Sequence, residues 1–527
     1  MWHILKKRKL AFILVMIAGL LLVACAKGVS QEQYDALQSQ VQEKDTKISE
    51  LQSQLKAKEA ESQAKVAEPQ PASQTEAAPV GKIVQVGELQ PAPEGARPTG
   101  WDTEWSQRLK ISLLATFDSS GEPAWDPQAH PLVFITTSGP GYGGFISENK
   151  LPGLAVIDAD SYEVVAYRHY DLGYEEYFED HGLGVSPDGR WIYLPTGVVS
   201  PGPDTKDADE YPGRWLVIDA KTLNIHQIIG THSVGHHAKS FYTPEGEPRV
   251  LATDFNWQIG GGYMRPGSGV YVFDPANDNR VVGGINADAL QGNPYLAFPS
   301  PDGKYVSIGL PPGPIGDPDI RHHLEGTWAV VDAATWQPVK YFVGGYDPIW
   351  TAWTADSKTA YLCDGGSDEV FKVDIENKKV VGTSRSSVHG MYGCHLNWDE
   401  TQLWTIEKGE SSHNRGKNIG LVDAKLMVPI DNWNTGWLRA DHGTLHPNPD
   451  RHELWVTANS SFEVVVWDME KKEVTKRIPM PLGTSTHSGA FVHYNPDWSG
   501  EVLADQAGLH GSAREKQVAL LTARAQK

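Results

Sequence analysis

Downstream of residue 100 the chain alternates short apolar runs with polar, Gly- and Pro-containing turns, and seven of the runs end in Asp. They are Val156-Ile157-Asp158, Val217-Ile218-Asp219, Val272-Phe273-Asp274, Val330-Val331-Asp332, Lys372-Val373-Asp374, Leu421-Val422-Asp423 and Val466-Trp467-Asp468. Successive Asp are 61, 55, 58, 42, 49 and 45 residues apart. Most are followed by a turn and another β-branched run, as in Glu163-Val164-Val165-Ala166-Tyr167. Most are preceded by two runs joined at a tight turn, such as Ser186-Pro187-Asp188-Gly189, Ser300-Pro301-Asp302-Gly303 or the looser Thr354-Ala355-Asp356-Ser357. Four strands per unit at this period predict an all-β chain folded as a β-propeller. No helical period of useful length is evident after residue 100.

Inner strands are expected near residues 181, 237, 296, 350, 395, 442 and 487. The last unit, from His487 to Lys527, lacks an Asp-ended strand, and the first, about 105–175, has only a weak inner run around Glu122 to Asp126. If the N-terminal segment completes the last blade, the ring has seven blades; if Val518 to Thr522 is also a paired strand, it has eight. The propeller is expected over residues 99–527.

The first hundred residues read differently. Lys6, Lys7, Arg8 and Lys9 precede an apolar stretch of 14 residues, Leu10 to Val23, which suits a secretory signal better than a membrane span. It ends in Leu22-Val23-Ala24-Cys25, which resembles a bacterial lipobox. The resemblance implies that residues 1–24 are removed, that Cys25 is lipidated, and that the chain is an extracytoplasmic lipoprotein, periplasmic or at the cell surface, held to a membrane by its lipid. Within 25–59, Tyr34, Leu37, Val41, Lys44, Ile48, Leu51 and Leu55 alternate spacings of 3 and 4. That is the seam of a short coiled coil, and so a route to a homo-oligomer, or else one stripe of a solvated single helix. Residues 60–98, rich in Ala, Glu, Gln, Ser and Pro, read as a disordered linker.

Charge narrows the partners. With 66 acidic against 46 basic residues the formal charge is −20, and removal of residues 1–24 takes it to −24. No nucleic-acid partner is expected, because phosphate binding needs a surplus of Lys and Arg. Three Cys allow neither a disulfide scaffold nor a Cys-based zinc ribbon. No Cys-x-x-Cys-His, Walker loop, Rossmann glycine pattern or Gly-x-Ser-x-Gly elbow occurs.

Histidine placement carries the candidate chemistry. His181, His236, His237, His395, His442 and His487 all fall where an inner strand begins. Inner strands line the central channel of a propeller, so these side chains are expected to converge at one mouth. Neutral imidazole is the commonest metal ligand, and a ring of five or six favours copper, zinc, iron or nickel over calcium or magnesium. Asp180 and Asp441 directly precede a His and are placed to orient the rings. His389, His446 and His493 are nearby reserve ligands. Each His taken singly is as readily explained by hydrogen bonding to backbone or water, and His236-His237 could put one ring in and one out. A calcium-dependent lactonase would need carboxylates and amides at the position where this repeat carries His.

The pattern resembles the seven-bladed propellers of the lactonase-like and YVTN-repeat families, which implies architecture and not activity. A second resemblance rests on His236-His237-Ala238-Lys239-Ser240-Phe241 and on His181-Gly182-Leu183-Gly184-Val185-Ser186-Pro187-Asp188-Gly189. These stretches resemble ligand motifs in the catalytic propeller of copper-cluster nitrous-oxide reductases. The resemblance implies a multinuclear copper–sulfide cluster held by the six His, and reduction of a small molecule. The blade order of the pair and the single His differs from that family. The cupredoxin domain is absent, so electrons would come from a separate donor. A single copper, zinc or iron ion fits the same ligands. Cys363 and Cys394 fall in successive blades, where they are free buried thiols, a disulfide, or, for Cys394 beside His395 and near Met391, a soft copper ligand. The alternative to an enzyme is a tethered propeller that binds a protein or small ligand without metal.

Overall fold

The seven Asp-ended runs are the third strands of seven separate sheets. Each Asp earns its place in the repeat in the same way. Its side chain accepts from the backbone N–H groups of the following turn: Asp332 from Ala334 and Thr335 at 3.1 and 2.8 Å, Asp423 from Lys425 and Leu426 at 2.9 and 2.7 Å, Asp468 from Glu470 and Lys471 at 3.0 and 2.8 Å. Four residues after every one of these Asp the backbone is left-handed, at Tyr162, Leu223, Asp278, Trp336, Lys378, Met427 and Lys472. This Asx-capped turn returns the chain as the outermost strand of the same sheet.

This computed structural model describes residues 80–85, 100–127, 130–139, 146–148, 151–174, 176–178, 180–200, 211–255, 269–312, 325–409 and 416–526. The signal, Cys25, the coiled-coil seam, and His322, His323 and His413 lie outside them. The sheets form a seven-bladed β-propeller. Blades 3 to 7 are four-stranded antiparallel sheets in chain order, with inner strands Val234–Tyr242, Ala297–Pro299, Pro348–Trp353, Met391–Leu396 and Ala440–Leu445. In blade 2 the inner strand is the short Gly184–Val185, and Ser112–Thr116 adds a further strand at the outer edge. Residues 80–85, in the stretch expected to be a tether, pair in parallel with Val164–Asp171 at the outer edge of blade 1.

The ring closes as expected for seven blades. Blade 1 takes Leu132–Thr136, Gly153–Asp158 and Val164–Asp171 from the N-terminal side and its inner strand, Gly489–Tyr494, from the C-terminal side. The run Glu122 to Asp126 is not a strand. The eighth blade does not form, because Val518 to Thr522 lie within a 15-residue helix, Gly511–Ala525. That helix also corrects the expectation of no useful helix after residue 100.

Between the inner strand of blade 1 and the helix, the chain adds Gly500–Asp505, which pairs with Gly489–Tyr494 and touches the inner strands of blades 3 and 7. The helix then packs across the turns that follow the inner strands of blades 5 and 6. Arg514 donates to the Ala355 carbonyl at 2.9 Å, Gln517 donates to the Trp398 carbonyl at 3.2 Å, and Arg524 pairs with Asp399. Strand and helix together cover the end of the channel opposite the inner-strand starts. Between the blades the core is aromatic, with Trp215, Trp328, Trp350, Trp404, Trp437, Trp455 and Trp467 fully buried. No helix among the described residues is long and apolar enough to cross a membrane.

Candidate metal centre

The inner strands begin irregularly. Ladder pairing slips between Gly235 and His237 in blade 3, between Pro348 and Trp350 in blade 5, between Met391 and Cys394 in blade 6, and between Ala440 and Gly443 in blade 7. A bulge breaks the in–out alternation of a strand, so consecutive side chains can face the same way. His236-His237 and Asp441-His442 sit on two of these bulges, and all four side chains are buried in the channel. The one-in, one-out reading of the His pair therefore gives way to both in.

Five imidazoles form a contiguous cluster. Ring centroids are 4.3 Å apart for His181 and His487, 4.8 Å for His181 and His236, 4.2 Å for His236 and His237, and 4.7 Å for His237 and His442. Blades 1, 2, 3 and 7 supply them. Gly182 is required for the approach: a Cβ there would lie 1.9 Å from His237 Nδ1. Where other blades present His, blades 4, 5 and 6 present Tyr295, Trp350 and Tyr392, which wall the cluster. Tyr295 packs on His236 at 4.7 Å, Tyr392 on His442 at 5.0 Å, and the two hydroxyls meet at 2.8 Å.

The sixth candidate, His395, sits beyond this wall, against Trp350 at 5.1 Å. Its ring also fills the space over Gly443, where a Cβ would lie 2.7 Å from Nε2. Of the reserves, His389 is exposed and paired with Asp368 at 3.0 Å. His446 is buried against Phe491, and its Nδ1 accepts from the Asn448 amide at 3.0 Å. His493 faces Glu501 across the strand pair Gly489–Tyr494 and Gly500–Asp505. The remaining described His are held elsewhere, for example His169 by Thr137 at 3.2 Å and His226 stacked on Trp191 at 4.4 Å.

Asp180 and Asp441 differ in what they hold. Asp180 accepts from the Ser138 hydroxyl and, at 3.3 Å, from the Gly153 amide. Asp441 is part of the cluster itself. Its Oδ2 pairs with His487 Nδ1 and lies 3.5 Å from His442 Nδ1, while Oδ1 is 2.9 Å from the Lys408 ammonium. Donor atoms of Asp441, His442 and His487 all fall within 4.8 Å of one another, so this buried group could hold a metal ion.

Protonation favours ligation. Burial, and then repulsion from neighbouring rings, holds His236 and His237 well below the usual imidazole range. Burial lowers His442 to about 4 against the opposing pull of Asp441, and lowers His395 to about 3. These rings are therefore neutral near pH 7, the form that coordinates metals. Burial by itself would raise the Asp441 carboxyl, but His442, Lys408 and His487 hold it well below the ordinary value. The backbone fixes one tautomer: His236 Nδ1–H donates to the Tyr295 carbonyl at 2.7 Å, which leaves Nε2 with the lone pair. Asn459 Nδ2 lies 2.7 Å from His487 Nε2. Neither ring nitrogen of His237 has a hydrogen-bond partner.

Lys408, Asn459, Tyr295 and Tyr392 are site residues that the repeat of His did not mark. The two Tyr could have been found as the aromatic occupants of the same repeat position. Lys408 follows a second strand in a polar stretch and carries no such signal.

Cys363 and Cys394 form a disulfide between the second strand of blade 5, Thr359–Asp364, and the inner strand of blade 6, with Cα atoms 6.7 Å apart. This corrects the free-thiol and copper-ligand readings.

No family model matches the chain, and no curated protein matches it. Solved structures are similar to it at low identity. A periplasmic gluconolactonase from Pseudomonas aeruginosa is 16% identical, over 69% of this chain and 99% of its own, with a TM-score of 0.48. Kuenenia stuttgartiensis hydrazine synthase is 13% identical, over 67% and 98%, with a TM-score of 0.44. A dihydro-heme d1 dehydrogenase in complex with DHE is 13% identical, over 76% and 77%, with a TM-score of 0.43.

Proposed function

We propose that the chain is an extracytoplasmic metalloprotein, anchored through Cys25, whose buried histidine cluster holds copper and supports reduction of a small molecule with electrons from a separate donor. The observation that carries the reading is the contiguous set of five buried imidazoles joined to Asp441. Structural His seldom gather so, because each buried ring needs its own partners. The donor set is nitrogen-rich with one carboxylate, which suits copper, zinc or iron. Copper is preferred on the motif resemblance around His181 and His236-His237, which also suggests nitrous oxide as a substrate and a multinuclear cluster. In this reading the protein's own residues hold neutral rings toward a common centre, exclude water with Tyr295, Trp350 and Tyr392, and keep a cation, Lys408, beside the ligand carboxylate.

The test is elemental analysis of protein purified anaerobically from copper-supplied cells, beside the His442→Ala/His487→Ala double variant. Several copper atoms per chain, lost in the variant, are expected. One copper, zinc or iron per chain would sink the multinuclear cluster and keep the metal site. A folded protein that takes up no metal after reconstitution, or a double variant with full metal content, overturns the site.

The second reading, a propeller that binds a protein or small ligand without metal, is favoured by Lys408. Its ammonium already neutralises Asp441 at 2.9 Å, as in a closed polar core.

A further inference from the structure

At the covered end of the channel, Gln506 follows directly on the added strand Gly500–Asp505. Its side chain is buried, with only 2% of the residue exposed, yet neither its amide oxygen nor its amide nitrogen has a partner. His395 Nε2 and Arg514 Nε are likewise buried and unpartnered. All three side chains line one small cavity of about 40 Å³, which Cys394, Trp353 and Gln517 help to enclose. Four orphaned polar atoms around one space is not how proteins leave a dry void. Empty cavities are apolar, and polar ones of this size hold water. The volume suits one or two water molecules.

The cavity does not end blindly on the outer side. It shares Pro301, Ala507, Leu509 and Arg514 with a groove of about 830 Å³ that lies between the turns of blades 3 and 4 and the C-terminal helix. The groove is open to solvent. A polar path thus leads from solvent, past Ala507 and Arg514, to Gln506 and the His395 ring.

We propose that this cavity is a water-bearing port: it holds one or two ordered waters between Gln506, Arg514 and His395, and connects His395 to solvent from the covered end of the channel. The molecules it admits are water and neutral species of two or three heavy atoms. The port itself stands on the geometry of the covered end. Its use as a supply route to the metal rests on the function proposed above, with His395 as the residue reached first.

The test uses the full chain without metal, so it is independent of the metal reading. Exchange of the imidazole ring C–H for deuterium is followed residue by residue by mass spectrometry, in the wild type and in Ala507→Trp, which fills the junction of cavity and groove. His169, fully buried and remote from the cavity, serves as the internal control. His395 is expected to exchange about tenfold faster than His169 in the wild type and to slow about fivefold in Ala507→Trp, with His169 unchanged. Equal exchange at His395 in both proteins overturns the port. Should Ala507→Trp fail to fold, Gln506→Leu takes its place, since it removes two of the four polar atoms and should expel the water. A crystal structure of the wild type with no solvent density between Gln506 and His395 would also overturn it.

Discussion

The Lys408 ammonium lies 2.9 Å from Asp441 Oδ1 and 3.7 Å above the Tyr392 ring, with both members of the ion pair fully buried. A buried pair is costly to assemble, and costlier to break than to replace. Lys408→Met should therefore destabilise the metal-free protein by about 3–5 kcal/mol. Adding Asp441→Asn should restore much of that loss. Urea unfolding of both single variants and the double variant checks it. Additive losses would mean that the two charges are not coupled.

Acid should loosen the metal-free protein through its buried imidazoles. His442 and His395 fall from about 6.5 to about 4 and about 3 on folding. Between those folded values and 6.5 the unfolded chain binds the extra protons, so stability rises with pH through this window. It is fully present above about pH 6.5 and is lost as the pH falls toward the folded values. Each such ring adds about 1.4 kcal/mol per pH unit to the slope. Unfolding free energies measured at pH 7, 6 and 5 should drop steeply, and a flat profile would contradict neutral buried rings.

A metal bound only by the native state should raise the melting temperature. At free metal one hundred times the dissociation constant the gain is about 2.7 kcal/mol. The same titration of the His442→Ala/His487→Ala variant should leave its melting temperature unmoved. Calorimetry with copper and with zinc distinguishes the two ions by their midpoints.

The disulfide closes a loop whose ends are 31 residues apart. Replacing both Cys363 and Cys394 by Ala should cost about 3–4 kcal/mol, mainly by releasing the unfolded chain. Metal content should stay constant in that variant. A loss of metal would put Cys394 back among the groups that support the centre.

Asp332 accepts from two backbone amides and from the Thr335 hydroxyl. Asp332→Ala should destabilise by about 1–2 kcal/mol, the scale of a lost charged cap. An unchanged denaturation midpoint would show that the left-handed residue at Trp336 alone sets the turn.

The parts of the fold visible in the sequence are those dictated by local chemistry. The Asp repeat is visible because each carboxylate caps its own turn, and the inner strands are visible because tight turns with Asp or Gly follow them. His181, His236, His237, His442 and His487 could be grouped because the repeat gives them one shared position. What stayed hidden depends on contacts distant in sequence. A bulge at Gly235–His237 cannot be told from a regular strand, so the inward direction of both rings was not readable. Val518, Leu520 and Leu521 suggest a strand by their apolar spacing, whereas the Ala, Gln, Lys and Arg around them favour the helix that forms. Lys408 meets Asp441 across two blades, and nothing local marks that encounter.

His487 stands just before the strand that closes the ring, while its stacking partner His181 belongs to the second blade. A chain made from its N-terminus holds His181, His236, His237 and His442 well before the closing strand arrives. Until His487 and the strand after it are available, the half-built cluster lacks the ring that pairs with Asp441. Under the proposed function, capture of an ion at the centre would wait on the strand that closes the ring, and a polypeptide lacking that strand would be a poor scavenger of metal.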